Sequence, residues 1–144
     1  EIRTLYDARV LTPFIASLFP NPENASVGII ELLINAIEHG NLEIGYECKS
    51  ELLEHNNWLS ETARRLSLPA YRNRKVQIHL ERHSDRIALT ICDEGMGFDW
   101  REFQTLSEER LFDLHGRGIA LARNAFDGLT YSAPGNVVTC WSTL

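Results

Sequence analysis

Apolar residues recur at two different periods along the chain, and the places where the period changes mark the elements. From Asp7 to Leu18 they fall at helical spacing, and Pro13 requires that this helix start late or bend. Ahead of it, Ile2 to Tyr6 reads as a short strand. PNPEN at Pro20 to Asn24 interrupts the pattern, after which Asn21 is suited to cap, and Pro22 to open, a second helix. That helix runs to about His39 and is closed by Gly40 and Asn41. Between Leu42 and Arg74 the chain turns polar and helical, with Tyr46, Leu52, Trp58, Leu66 and Tyr71 among its anchors, which predicts one or two short helices. Period two then takes over: Val76, Ile78 and Leu80, a turn near Ser84 and Asp85, then Ile87, Leu89 and Ile91. This is an antiparallel hairpin with one buried face. A polar segment from Trp100 to Leu114 precedes HGRG, which opens a helix through about Phe126. Two strands come next, around Leu129 to Ser132 and Val137 to Trp141, joined by a turn at Pro134 to Asn136.

Composition keeps all of this in one folded unit. With 144 residues, 44% of them hydrophobic, the chain can build a core, so 1–144 reads as a single domain with a helical insert at about 42–74. Fourteen Lys and Arg against twenty Asp and Glu leave a formal charge of −6. That balance argues against nucleic acid or an anionic membrane as the main partner, since both need a basic field. Between Glu47 and Lys75 the balance reverses to six basic and four acidic residues. The insert is therefore the candidate surface for a partner or a second copy, against the alternative that its anchors simply pack on the domain's own sheet. Cys48, Cys92 and Cys140 show no CxxC pair and no metal-ligand spacing, which fits a reducing cytosol and a cytoplasmic protein. No signal-peptide layout or run of eighteen apolar residues occurs. Because patterned sequence begins at once from Glu1, without Met, the chain reads as a domain cut from a longer protein.

Three constellations carry chemistry. The segment Val27 to Ile37 is apolar nearly all round, as a buried helix must be, yet Glu31, Asn35 and Glu38 lie along one stripe of it. Such a stripe either faces solvent or lines a cleft, where Asn35 can offer its oxygen to a hard divalent cation and Glu31 can orient or deprotonate a nucleophile. DEGMGFD places Asp93 at a strand end, with Gly95 and Gly97 after it. It is either an ordinary turn or a place where the backbone approaches a flat ligand and the acid accepts from an exocyclic amine. HGRGIALA sets Gly116 and Gly118 at a helix start, suited either to close helix packing or to a polyphosphate on free amides.

Taken in order, ELLINAIEHGN, DEGMGFD and HGRGIALA resemble the N, G1 and G2 boxes of the GHKL ATPases, and within them the bacterial anti-sigma-factor serine kinase branch. The nearest look-alikes are the ATP-binding domains linked to response regulators and to PP2C-type serine phosphatases. The resemblance implies a Bergerat-type fold, a two-layer α/β (α+β) sandwich whose mixed, largely antiparallel sheet is covered on one face by helices. It implies ATP and Mg²⁺ as cofactors, Glu31 as general base and Asn35 as magnesium ligand. Asp93 would read adenine, with Gly95 and Gly97 as its glycines and Gly116 and Gly118 on the phosphate side. Glu38, His39, Phe98 and Arg117 would complete the nucleotide contacts. The activity implied is phosphorylation of a serine on a STAS-type anti-sigma-factor antagonist, the sequestering of a sigma factor or similar regulator, or both. Dimerisation is common in such proteins. Two other readings stand beside it: a catalytically silent partner-binding module of the same fold, and a histidine-kinase catalytic domain. The second would need a phospho-accepting His on a dimerisation helix pair, for which the chain has no room.

Overall fold

The computed structural model describes residues 1–98, 100, 118–132 and 134–144. The chain starts with helix α1 (Leu5–Ala16), not with a strand. Thr4 and Asp7 form a reciprocal capping box, Asp7 N–H donating to Thr4 Oγ1 at 3.1 Å and Thr4 N–H to Asp7 Oδ2 at 2.9 Å. This box begins the helix at Leu5 and leaves only Ile2 paired as in a sheet, in a single antiparallel bridge to Val76. Pro13 lies inside the last turn instead of setting a late start.

Helix α2 (Pro22–Asn35) opens as expected, with Asn24 N–H donating to Asn21 Oδ1 at 3.2 Å. It does not continue unchanged to His39. From Ala36 to Asn41 the backbone widens into a π turn, with Leu42 N–H reaching the carbonyl of Ile37 at 2.9 Å. The wider turn rotates its residues out of step with α2, so Glu38 points into the interior. The insert then forms two helices, α3 (Tyr46–Glu54) and α4 (Trp58–Ser67).

Strands β1 (Gln77–Arg82), β2 (Arg86–Cys92), β3 (Gly128–Ser132) and β4 (Val137–Thr143) make one sheet in the order β1-β2-β4-β3. All three pairings are antiparallel, so the mixed part of the expected sheet has no counterpart among the described strands. The register stacks Leu89 on Cys140 and Ile91 on Val138, and Leu129 falls beside Cys140. This face is buried with Ile29, Leu32 and Leu33 of α2 and with Ala122 of α5 (Gly118–Ala125). The opposite face is more polar, with the Thr90 and Thr139 hydroxyls hydrogen-bonded at 3.0 Å. The molecule is thus the two-layer α+β sandwich that the resemblance implies, built from the helices and strands that the two periods mark. Among the described residues no helix is long and apolar enough to cross a membrane.

The base of the insert is clipped shut. Arg65 Nη1 donates to the carbonyls of Leu42 and Glu43, both at 2.8 Å. Arg74 Nη1 donates to Asn41 O at 3.0 Å and Glu43 Oε1 at 2.7 Å. Between them Glu43 holds a left-handed backbone, φ 52°, a conformation that needs outside support in a residue with a Cβ. Arg65 and Arg74, two of the insert's basic residues, therefore serve its own domain.

Candidate functional site

The site is assembled where the end of α2, the end of β2 and the start of α5 meet. Glu31 and Asn35, one turn apart on α2, both face a cavity of about 840 Å³. Gly118, the first residue of α5, closes against them. A methyl group at that position would sit 2.6 Å from Glu31 Oε2 and 3.3 Å from Asn35 Nδ2, so any side chain there would push the Glu31 carboxylate out of its place.

Asp93, 9% exposed, comes after β2 on another side of the cavity. Its Oδ1 accepts from Gly95 N–H at 2.8 Å, and its carboxyl rests on Gly40 of the π turn, where a methyl group would come within 2.3 Å of Asp93 Cγ. Two asparagines fix the surrounding backbone. Asn41 Oδ1 accepts from Glu94 N–H at 2.7 Å. Asn136 accepts from Asp93 N–H through its carbonyl at 2.9 Å and donates through Nδ2 to Asp93 O at 3.1 Å. Beyond them the chain crosses the β3–β4 turn backbone to backbone, at Gly97 (φ 78°) and Gly135 (φ 106°). Phe98 meets Tyr131 edge-on at 5.4 Å between centroids, and Trp100 stacks on the same ring at 5.9 Å.

Burial sets the charges. It pushes the Asp93 carboxyl up to about 6, against the opposing Gly95 N–H bond and the Arg74 charge. Burial likewise raises Glu31, an effect that Lys49 counters and Glu38 reinforces. His39 is lowered, first by burial, although its bond to the Ile44 carbonyl works the other way. That bond requires a proton on Nδ1, since a carbonyl can only accept.

Of the residues singled out in the sequence, Glu31, Asn35, His39, Asp93, Gly97, Phe98 and Gly118 line one cavity. Gly95 stands behind Asp93, against the Gly40 carbonyl. Glu38 departs from its expected place: it is fully buried, off the wall, and ion-paired to Lys49. The π turn is the reason, because it turns this position away from the stripe that Glu31 and Asn35 occupy. Gly116, Arg117 and the polar segment 101–114 lie outside the described residues.

The sequence reasoning missed Lys49, a wall residue, and passed over Trp58 as packing, although it too lines the cavity. One signal was available. A carboxylate within so apolar a helix needs a cation, and Lys49 is the first Lys or Arg after Glu38.

The profile of the histidine kinase-like ATPase domain matches residues 21–141, which contain every side chain named above as lining the cavity. The chain belongs to that family. Among individual curated proteins none matches it significantly. The ATPase domain has a cavity in the range that holds a nucleotide-sized ligand, with a buried acid at Asp93 and a glycine-opened helix at Gly118, and these features fit ATP. For a divalent cation the fit is of a particular kind. Among the described residues no cluster of three or more His, Cys, Asp and Glu forms a cage. A cation beside Asn35 would thus depend mostly on phosphate oxygens, the usual situation of Mg²⁺.

Proposed function

We propose that this ATPase domain is a cytoplasmic regulatory serine kinase of the anti-sigma type. It would phosphorylate a serine of a STAS-type antagonist and hold a sigma factor or similar regulator in turn, as a monomer or a homodimer. The observation that carries the reading is the convergence of Glu31, Asn35, Asp93 and Gly118 on a single cavity from three separate elements. Asp93 accepts from the exocyclic amine of adenine, with Phe98 and Tyr131 beside it on the wall. Asn35 supplies its side-chain oxygen to Mg²⁺, which when bound neutralises phosphate charge. Glu31, raised by burial but held back by Lys49, accepts the proton of the partner's hydroxyl while its oxygen takes the γ-phosphoryl group and ADP departs. Gly118 leaves the space in which these groups meet.

The test is transfer of labelled γ-phosphate from ATP to a STAS-type antagonist, read by the appearance of phosphoserine. Wild-type protein should transfer and Glu31→Gln should not. ATP binding without transfer to any antagonist would instead support the silent module.

A further inference from the structure

We propose that Lys49, carried by the insert, binds the phosphates of the nucleotide, with Glu38 as the buried carboxylate that holds the lysine at the cavity wall. The inference rests on the nucleotide reading above and adds to it a residue outside the three motifs. Among the described residues lining the cavity, Lys49 is the one lysine or arginine, and it shares the wall with Glu31, Glu43 and Asp93. A polyphosphate entering that space meets carboxylates on several sides. A single divalent cation neutralises only part of its charge, and an ammonium group on the wall offers charge-assisted hydrogen bonds to the rest.

Position supports this assignment over a role at the base. The Lys49 charge is felt by Glu31 and His39, whereas Asp93 responds to Arg74. Lys49 is also paired with Glu38, three residues beyond Asn35, which sets it beside the part of the wall built by the end of α2.

The pairing with Glu38 explains how the ammonium is kept there. Lys49 Nζ lies 2.6 Å from Glu38 Oε2, with the glutamate side chain 0% and the lysine side chain 17% exposed. Among the described residues, neither Glu38 oxygen has a well-directed hydrogen bond, so Lys49 meets Oε2 as an ion pair. A buried carboxylate held by charge alone is a poor source of stability, since its desolvation offsets the attraction. What the pair does supply is placement, because the accessible member is the cation. Trp58 adds a second restraint, its ring centroid 5.8 Å from the same nitrogen. A lysine already held loses less freedom on meeting an anion than a free one.

The test is calorimetry with ATP plus magnesium and, separately, with adenosine. The double variant Glu38→Gln, Lys49→Met removes both charges together, so no buried ion is stranded and the methionine still fills the stem's place beside Trp58. Wild-type protein should prefer ATP to adenosine. In the double variant ATP affinity should fall by about ten- to a hundredfold, the worth of a charge-assisted hydrogen bond, while adenosine affinity stays unchanged. The salt dependence of ATP binding should weaken too, and Lys49→Arg should keep the preference for ATP. A double variant that retains the wild-type ratio of ATP to adenosine affinity overturns the proposal. So does an equal loss for both ligands, which would make the pair a brace for the insert. Wild-type protein that binds neither ligand overturns the nucleotide reading itself, a result distinct from the other two.

Discussion

Asp93→Asn is expected to stabilise the nucleotide-free domain at neutral pH while weakening its hold on ATP. Burial raises this carboxyl from 3.8 to about 6, so the folded state binds the proton more tightly than the unfolded chain does. The stability associated with Asp93 is therefore fully present below about pH 4 and is lost as pH rises through about 6. A shift of about two units, at about 1.4 kcal/mol each, puts the cost of folding with an ionised Asp93 at about 3 kcal/mol near pH 7. Asparagine has the same shape, carries no charge and keeps an oxygen for Gly95 N–H, so it avoids most of that cost. Urea unfolding of both proteins from pH 4 to 7.5 should show the variant's advantage growing by about 2 kcal/mol across the range. His39, shifted in the opposite direction, contributes equally to both proteins and cancels in the difference. The same variant should lose about 1 to 3 kcal/mol of ATP affinity by calorimetry, because the amide has one acceptor where the carboxylate has two, and it cannot serve both Gly95 N–H and the adenine amine. An advantage that does not vary with pH, or a variant less stable than wild type at pH 7.5, would refute the reasoning.

Three other outcomes are expected from the geometry. Glu31→Gln should still bind ATP with magnesium while phosphoryl transfer falls by roughly a hundredfold or more, whereas Asn35→Ala should lose the magnesium-dependent part of binding itself; titrations with and without the metal separate the two. Gly118→Ala should lower transfer more than ATP affinity, since the new methyl group meets the far end of the Glu31 side chain at 2.6 Å and displaces the carboxylate without crowding backbone; turnover and binding measured side by side check this. Arg65→Ala should cost about 1 to 3 kcal/mol in thermal or urea unfolding by releasing two carbonyls, while Arg64→Ala, at a position 57% exposed, should change stability by about 0.5 kcal/mol or less.

The periodic elements were legible because their signals are local. Asn21 and Pro22 start α2 where the capping rules put them, and the alternation of Ile87, Leu89 and Ile91 became the buried face of β2. Ile2 to Tyr6 was misread because a capping box made by Thr4 and Asp7 outweighed a short run of strand-compatible residues. The π turn could not be read from spacing, since AIEHGN is equally compatible with a regular helical end, and its effect on Glu38 was lost with it. The order β1-β2-β4-β3 was equally hidden, because it depends on which strand pairs across the sheet after the chain has left and returned. Glu31, Asn35 and Asp93 were legible as types of chemistry before any geometry was known. Lys49 was not, because its meaning comes from a carboxylate eleven residues earlier and an aromatic ring on the next helix.

The guanidinium clip at the foot of the insert also sets where this domain can be remodelled. Arg65 and Arg74 close on Asn41 to Glu43, so the two ends of the excursion are already joined by bonds that do not pass through its tip. The α3–α4 turn at His55 to Asn57 is exposed, with Asn56 in the left-handed region at φ 58°. Lengthening the chain at this turn leaves the foot shut. Its entropic cost grows only logarithmically, about 0.6 kcal/mol for each doubling of the loop. A spectroscopic label or a grafted peptide placed there would sit at the tip of a stem whose foot is bonded shut and whose wall residues, Lys49 and Trp58, contact each other below it.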